Sequence, residues 1–341
     1  MSFYEAGLPR TSEEPARIGV LVVNLGTPAA PAYRPVRRYL REFLGDRRVV
    51  ETPRPIWWPV LFGPVLTFRP LRSARNYRKI WGPGGSPLAV LSGRLSEKIG
   101  ARLAQRLGDR VRVRLAMTYG EPGLAEGLRA LAQHNARRVL VLPLYPQYCA
   151  ATTGSVFDAT TRVLRRWRVL PELRFVNDYH GDAGYLDALA ARIEGHWSAA
   201  GERSHLLFSY HGIPVDYVAA GDPYRDQAEA TTRAIVARLG LTDAAWSHAY
   251  QSRFGPVEWL QPYTGVRLRE LADRGVRRIT VVSPSFAVDC LETLEEIAIG
   301  YREEFLAHGG ERFSMVPALN DDDSHADVLA ALALRHLGGW V

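Results

Sequence analysis

Cysteine is nearly absent from this sequence: two residues, Cys149 and Cys290, stand far apart with no C-x-x-C between or around them. That excludes a disulfide framework, and also a four-cysteine zinc or iron–sulfur site built from this chain. Any metal chemistry falls to histidine and carboxylate. No run approaches the roughly 20 apolar residues that cross a bilayer. The opening "MSFYEAGLPRTSEEPAR" is polar and carries acids, without the charged-then-apolar order of a secretory leader, so a cytoplasmic protein is expected. "WGPGGSP" has the glycines of a phosphate loop but not the Lys-Ser/Thr that completes one. No G-x-G-x-x-G opens a helix after the first strand, and no G-x-S-x-G nucleophile elbow occurs.

What is present is an ordinary globular mixture, 47% hydrophobic and 23% charged, in 341 residues, enough for two domains. The net charge of +7 favours anionic partners such as a carboxylate-bearing small molecule or an acidic membrane surface. The basic residues are scattered, as in "RVLRRWRVL", with no long tract, and nucleic acid is not expected as a partner.

Short apolar runs rich in β-branched residues recur: "IGVLVVNLG", "VRVRLAMTY", "RRVLVLPLY" and "LRFVN", then "HLLFSY", "WSHAYQS", "RRITVVSPS" and "FSMVPAL". Near-continuous apolar runs mark strands buried on both faces of a parallel sheet. Between them lie helical segments closed by glycine, such as "LSGRLSEKIGARLAQRLG" and "YRDQAEATTRAIVARLG". The alternation predicts an α/β fold with right-handed crossovers. "LRALAQHNARRVLVLPLYPQY", from Leu128, and "LRELADRGVRRITVVSPSFAV", from Leu268, share one pattern, and "VVNLGTP" and "FSYHGIP" both end in G-x-P. Two similar halves joined near Arg165–Pro171 are expected. Pro53–Leu71, "PRPIWWPVLFGPVLTFRPL", is apolar and aromatic with prolines too frequent for a regular helix, so it reads either as a loop on the core or as an apolar lip over a ligand.

Two elements carry chemistry. His211 ends the strand "HLLFSYH", and ligands of open parallel sheets bind outside the carboxyl ends of strands. In "SPSFAVDCLETLEEIAIGY", Asp289, Glu292 and Glu296 fall on one helix face, spaced three and four apart. A capping box, with Asp289 as N-cap and Glu292 at the third position, would account for two of these acids but not Glu296. A histidine facing a row of carboxylates across a cavity suits proton transfer or handling of a hard cation.

With these residues assembled, the chain resembles the ferrochelatases, which insert ferrous iron into a porphyrin at the last step of heme synthesis. The resemblance runs through "VLVVNLGTP", "NYRKIWGPGGSPL", "PLYPQYCAATTGS", "LLFSYHGIP", "YQSRFGPVEWLQPYT" and "DCLETLEEI", in order. The stretch "VRRYLREFLGDRRVVETPRPIWWPVL" is similar to the proteobacterial type and implies protoporphyrin IX rather than coproporphyrin as substrate. The implied fold is two similar Rossmann-like domains, each a four-stranded parallel sheet flanked by helices, with a porphyrin cleft between them. The expected boundaries are a tail at 1–16, a first domain at 17–166 bearing the lip at 53–71, a second at 167–320, and a C-terminal helix at 321–341 packing back on the first domain.

The resemblance also implies roles. His211 is a proton acceptor or an iron ligand; Glu292 and Glu296 pass protons or deliver iron, with Glu292 a second candidate iron ligand. Tyr77, Ser86, Trp259 and Leu25 would contact the porphyrin, and Arg69, Arg72 and Ser86 would meet its propionates. Leu25, Thr118 and Cys290 stand where animal members have methionine, arginine and histidine, and roles assigned through the last two side chains do not transfer. The cysteine-rich extension that holds an iron–sulfur cluster in some members is absent; no tightly bound cofactor is expected, with ferrous iron as substrate. Peripheral contact with the inner membrane through the lip is also expected. The alternatives are a cobalt or nickel chelatase, which would hold its metal with more than one histidine, and a non-catalytic porphyrin or heme carrier, which has no need of an acidic row.

Overall fold

The computed structural model describes residues 3–8 and 15–341. The chain forms two compact units. The first takes in the described residues up to Tyr145, then Ala150–Asp178 and Asp321–Val341; the second is Pro146–Cys149 and Tyr179–Asn320.

In the first unit, β1 (Glu5–Gly7) pairs in parallel with β5 (Trp167–Val169). The main sheet contains β2 (Arg17–Gly26), β3 (Val111–Tyr119), β4 (Ala136–Pro143) and β6 (Glu172–Phe175), all parallel in the order β3-β2-β4-β6. Val20 to Val23 of β2 are wholly buried, as a strand covered on both faces requires. The helix Pro87–Leu107 covers part of that sheet with Leu95, Ile99 and Leu103. Against it lies the helix Asp323–His336, held by Arg102, which pairs with Asp323 at 2.9 Å and with Asp327. Arg174 stacks over the Trp340 ring at 4.1 Å, so the C-terminal segment belongs to this unit.

The second unit repeats the plan with β7 (His205–His211), β8 (Trp246–Gln251), β9 (Arg278–Val282) and β10 (Arg312–Met315), in the order β10-β9-β7-β8. The repeated segments from Leu128 and Leu268 fall on equivalent helix-to-strand passages, into β4 and into β9. The G-x-P repeat has a steric cause in both units. A Cβ on Gly26 would stand 1.7 Å from the carbonyl oxygen of Tyr119, the last residue of β3. One on Gly212 would stand 3.0 Å from that of Gln251, the last residue of β8. In each half a glycine lets the central strand end tightly against its neighbour's end.

Three expectations need correction. The domain join does not fall at 166/167: the crossover helix Ser155–Leu164 leads into β6, which pairs with β4 and completes the first sheet, so the boundary follows Asp178. Part of the expected tail is a strand, β1, while residues 1, 2 and 9–14 lie outside the described residues. Finally, Pro53–Leu71 is helical: Arg54–Val60, a wide π turn at Leu61–Val65 broken at Gly63, then Leu66–Ile80. The helix tolerates Pro70 because the Leu66 carbonyl, deprived of its usual donor, accepts from Tyr33 Oη and Arg37 Nε, each at 3.2 Å.

A largely buried histidine gives the second unit a pH-sensitive packing element. His248 stacks on Tyr210 with ring centroids 4.9 Å apart and has Thr232 Oγ1 3.0 Å from its Nδ1. Burial lowers its pKa from 6.5 to about 4. The unfolded chain therefore takes up this proton from about pH 6.5 downward and the folded chain only near 4, so the contribution is full above 6.5 and lost as pH falls toward 4. Wild type is expected to lose up to about 3 kcal/mol from this group between pH 7 and pH 4. His248→Phe should lack that share, which urea unfolding at both pH values would measure.

Candidate active site

The carboxyl end of β7 places His211 half-buried, its ring between Trp259 (centroids 6.3 Å apart) and Phe286 (6.5 Å). Its Nδ1 lies 2.7 Å from the carbonyl oxygen of Gly212. A carbonyl can only accept, so Nδ1 carries the hydrogen, and in the neutral ring Nε2 keeps its lone pair. Trp259 is held beside it by backbone bonds on either side: Leu260 N donates to Ile213 O and Val215 N to Glu258 O, each at 3.0 Å.

The acids sit on an unusual helix. Glu292–Tyr301 is a π-helix, a form that is rare and found mostly at functional positions. Its wider turn keeps Glu292 and Glu296 near one face, and Glu292 acts electrostatically on Glu296, as does His211. The two oxygens of Glu296 accept from Ser252 N (3.0 Å), Ser252 Oγ (2.5 Å) and Tyr301 Oη (3.1 Å). Burial nevertheless holds the Glu296 carboxyl above the ordinary carboxylate range, against the lowering effect of these bonds and of His211. Cys290 lies fully buried beside Glu292, and burial and that carboxylate push its thiol pKa well up.

Asp289 does not join this row as expected, and the alternative capping box does not form either. The position before the helix is Leu291, with no side-chain cap. Asp289 instead accepts from Asn320 Nδ2 (2.7 Å) and Ala318 N (3.3 Å), while its own N–H donates to Asn320 Oδ1 (2.8 Å). It is a buried strut to the chain beyond β10. The turn into the helix is closed by Thr293, whose Oγ1 accepts from Cys290 N at 3.0 Å. A cap and a strut look alike in sequence because both use an aspartate three residues before a glutamate.

The first unit holds the remaining predicted residues, and they do not all meet. A cleft of about 420 Å³ is lined by Thr27, Arg34, Arg38, Trp81, Ser86 and Glu121 among others. Ser86 is buried there and accepts a hydrogen bond from Thr27 Oγ1 at 2.9 Å. Tyr77 is buried one helix away, edge-on to Trp81 with centroids 6.0 Å apart. Arg69 is half-buried and Arg72 exposed on the helix Leu66–Ile80, and neither lines the cleft. Leu25 packs against the core of its own unit. Sequence reasoning missed Ser252, Tyr301, Arg34 and Arg38. The first could have been suspected from its place in "YQSRFG", the last two only from the helix face they share. Among the described residues no three or more His, Cys, Asp or Glu side chains are grouped to hold a metal ion.

Two parallel four-stranded sheets, with a histidine at the end of one central strand and acids on a π-helix, form a chelatase fold. SirB from Bacillus subtilis with Fe3+ superposes with a TM-score of 0.54 at 11% identity, over 95% of this chain and 97% of that one. CbiX, the terminal enzyme for biosynthesis of siroheme in denitrifying bacteria, gives 0.52 at 16% identity, over 94% and 100%. These likenesses concern the fold. The ferrochelatase family model matches residues 17–337. Ferrochelatase of Thioalkalivibrio sulfidiphilus is 52% identical over 96% of this chain and 88% of its own length. That of Methylococcus capsulatus is 50% identical over 94% and 97%. The chain belongs to the ferrochelatase family; it is a lyase that inserts iron into protoporphyrin in heme biosynthesis.

The strut and the π-helical acid separate in stability. Asp289→Ala should cost about 1–3 kcal/mol, because it removes the acceptor of the buried Ala318 N–H and the carboxylate bonded to the Asn320 side chain. Glu292→Gln, with no cap to lose, should stay within about 0.5 kcal/mol of wild type. Denaturant unfolding of the two variants would check both values.

Proposed function

We propose that His211 is the base that removes an inner-ring proton as ferrous iron enters protoporphyrin IX. The observation that carries this reading is the 2.7 Å bond from Nδ1–H to the Gly212 carbonyl, which leaves the Nε2 lone pair as the available acceptor. Insertion forms metal–nitrogen bonds and releases two protons from the ring. Glu292, on the same unit and in electrostatic contact with Glu296, is the second acceptor and the iron ligand on the approach, since carboxylates suit a hard, partly hydrated cation. Glu296 serves the iron side behind it. A flat porphyrin offers its central lone pairs poorly to a metal above the plane. Contacts to the ring edge and propionates, assigned to Trp259, Leu25, Tyr77, Ser86, Arg69 and Arg72, supply binding energy that bends it. Iron is substrate in this scheme, and the chain uses no tightly bound cofactor and no iron–sulfur cluster.

The enzyme works as a peripheral protein on the cytoplasmic face of the inner membrane. No helix among the described residues is long and apolar enough to cross a bilayer. The segment from Arg54 to Ile80 nonetheless exposes Ile56, Phe62, Phe68 and Leu71, with Phe68 68% exposed, beside the exposed Arg72, Arg75 and Arg78. Apolar side chains with cations alongside suit an anionic lipid surface. Trp57 is not part of this contact: it is buried, and its indole N–H donates to the Leu44 carbonyl at 2.7 Å.

Two experiments test these assignments. Mixing protein with protoporphyrin IX and ferrous iron under anaerobic conditions, and following the optical spectrum, should show metalloporphyrin formation. His211→Ala should slow it at least roughly a hundredfold with unchanged circular dichroism; near-wild-type turnover would sink the base assignment. In sedimentation with anionic liposomes, Phe62→Ser/Phe68→Ser should reduce partitioning at least roughly tenfold without lowering the melting temperature. Equal partitioning would remove the membrane reading.

A further inference from the structure

The chain between β8 and Trp259 is thinly packed: Arg253 to Glu258 are all exposed, Phe254 by 40% and Val257 by 50%. It is nevertheless held at both ends. Beyond Trp259 the Leu260–Ile213 backbone bond closes it onto the segment that follows His211. At its start Ser252 adopts φ 65°, a left-handed conformation that costs a non-glycine residue energy and persists only where surrounding contacts demand it. Here the demand is visible. In that conformation the backbone N–H and the hydroxyl of Ser252 point the same way and grip both oxygens of Glu296, while Tyr301 Oη donates to Oε1 from the helix itself. Three of the roughly four acceptor sites of a carboxylate are thereby occupied, by charge-assisted bonds of the stronger kind.

We propose that Ser252 is a positioning residue for metal insertion, gripping Glu296 so that the π-helix carrying the acids and the loop carrying Trp259 are set as one piece. The inference rests on the assignment of Glu296 to the iron side and Trp259 to the porphyrin. Its consequence is that the two substrates are linked through one carboxylate. A cation drawn to Glu296 has a single free acceptor site there unless it displaces a Ser252 donor, and displacement frees the loop beside Trp259. Tyr301 limits the rotation of the carboxylate in the meantime.

Ser252→Gly isolates the hydroxyl, because glycine keeps the N–H and adopts φ 65° without strain. Ser252→Ala removes the same hydroxyl and keeps the strain. Both variants should raise KM for ferrous iron roughly tenfold, because the free acceptor site of Glu296 is no longer held in place once that charge-assisted hydrogen bond is lost. Both should weaken protoporphyrin binding, read by fluorescence titration without iron, and speed amide exchange across 253–260. Ser252→Gly should do so while unfolding no earlier than wild type, which a merely structural role would not give. On a Glu296→Gln background Ser252→Gly should add little. Wild-type iron KM and porphyrin affinity in Ser252→Gly, a change in iron KM alone, or full additivity with Glu296→Gln would each overturn the proposal. If Glu296→Gln leaves iron KM untouched while porphyrin affinity and exchange still respond to Ser252→Gly, the iron assignment of Glu296 fails and the tie to the loop stands.

Discussion

A parallel strand covered on both faces can place polar chemistry only where it stops, and both units of this enzyme are organised by that constraint. Leu206 to Tyr210 of β7 are fully buried, and the first solvent-reachable side chain on the strand's carboxyl end is His211. The same stop frees the Gly212 carbonyl from the ladder while its N–H still donates to Gln251 O at 2.8 Å. The freed oxygen then fixes the tautomer of the histidine beside it. Which ring nitrogen keeps its lone pair is thus set by where the sheet ends, not by a separate orienting side chain.

The same position in the first unit carries a different residue. Leu25 precedes Gly26 as His211 precedes Gly212, and both glycines let the strand end close against its neighbour. Leu25 is apolar and half-buried against the core of its unit, and the polar side chain beside it is Asn24, whose Nδ2 donates to Ser92 Oγ at 2.9 Å. Two halves with one topology have kept the steric requirement and divided the chemistry, leaving the ionisable group in the second alone.

The π-helix solves a related problem. Glu292 and Glu296 are neighbouring like charges, and burial adds to their mutual repulsion. An acidic pair of this kind is tolerated because donors reach it from a separate loop and from the helix's own last residue. Ser252 reaches in from a strained loop and Tyr301 from the helix end, so the Glu296 carboxylate accepts three hydrogen bonds. Asp289, which seems in sequence to extend the row, is spent on holding Asn320 and Ala318 in place.

The sequence by itself determined the alternation of buried strands and amphipathic helices, the duplication, and the two elements that carry chemistry. Those signals are local: apolar runs, glycine stops, and a histidine or carboxylate where such a run ends. It could not determine the join between the halves, because "WRVLPELRF" is short and polar enough to read as a linker until β4 supplies its pairing edge. Nor could it distinguish Asp289 as strut from Asp289 as cap, since the partner at Asn320 lies 31 positions away. The prolines of the lip read as breakers, yet Pro70 is accommodated by donors on a different helix. The motif "YQSRFG" points to Ser252 but not to its part, which lies in a backbone angle and a bond to Glu296, 44 positions distant. What only the tertiary structure decided is which side chains satisfy one another. That is a matter of distance in space, which local pattern does not encode.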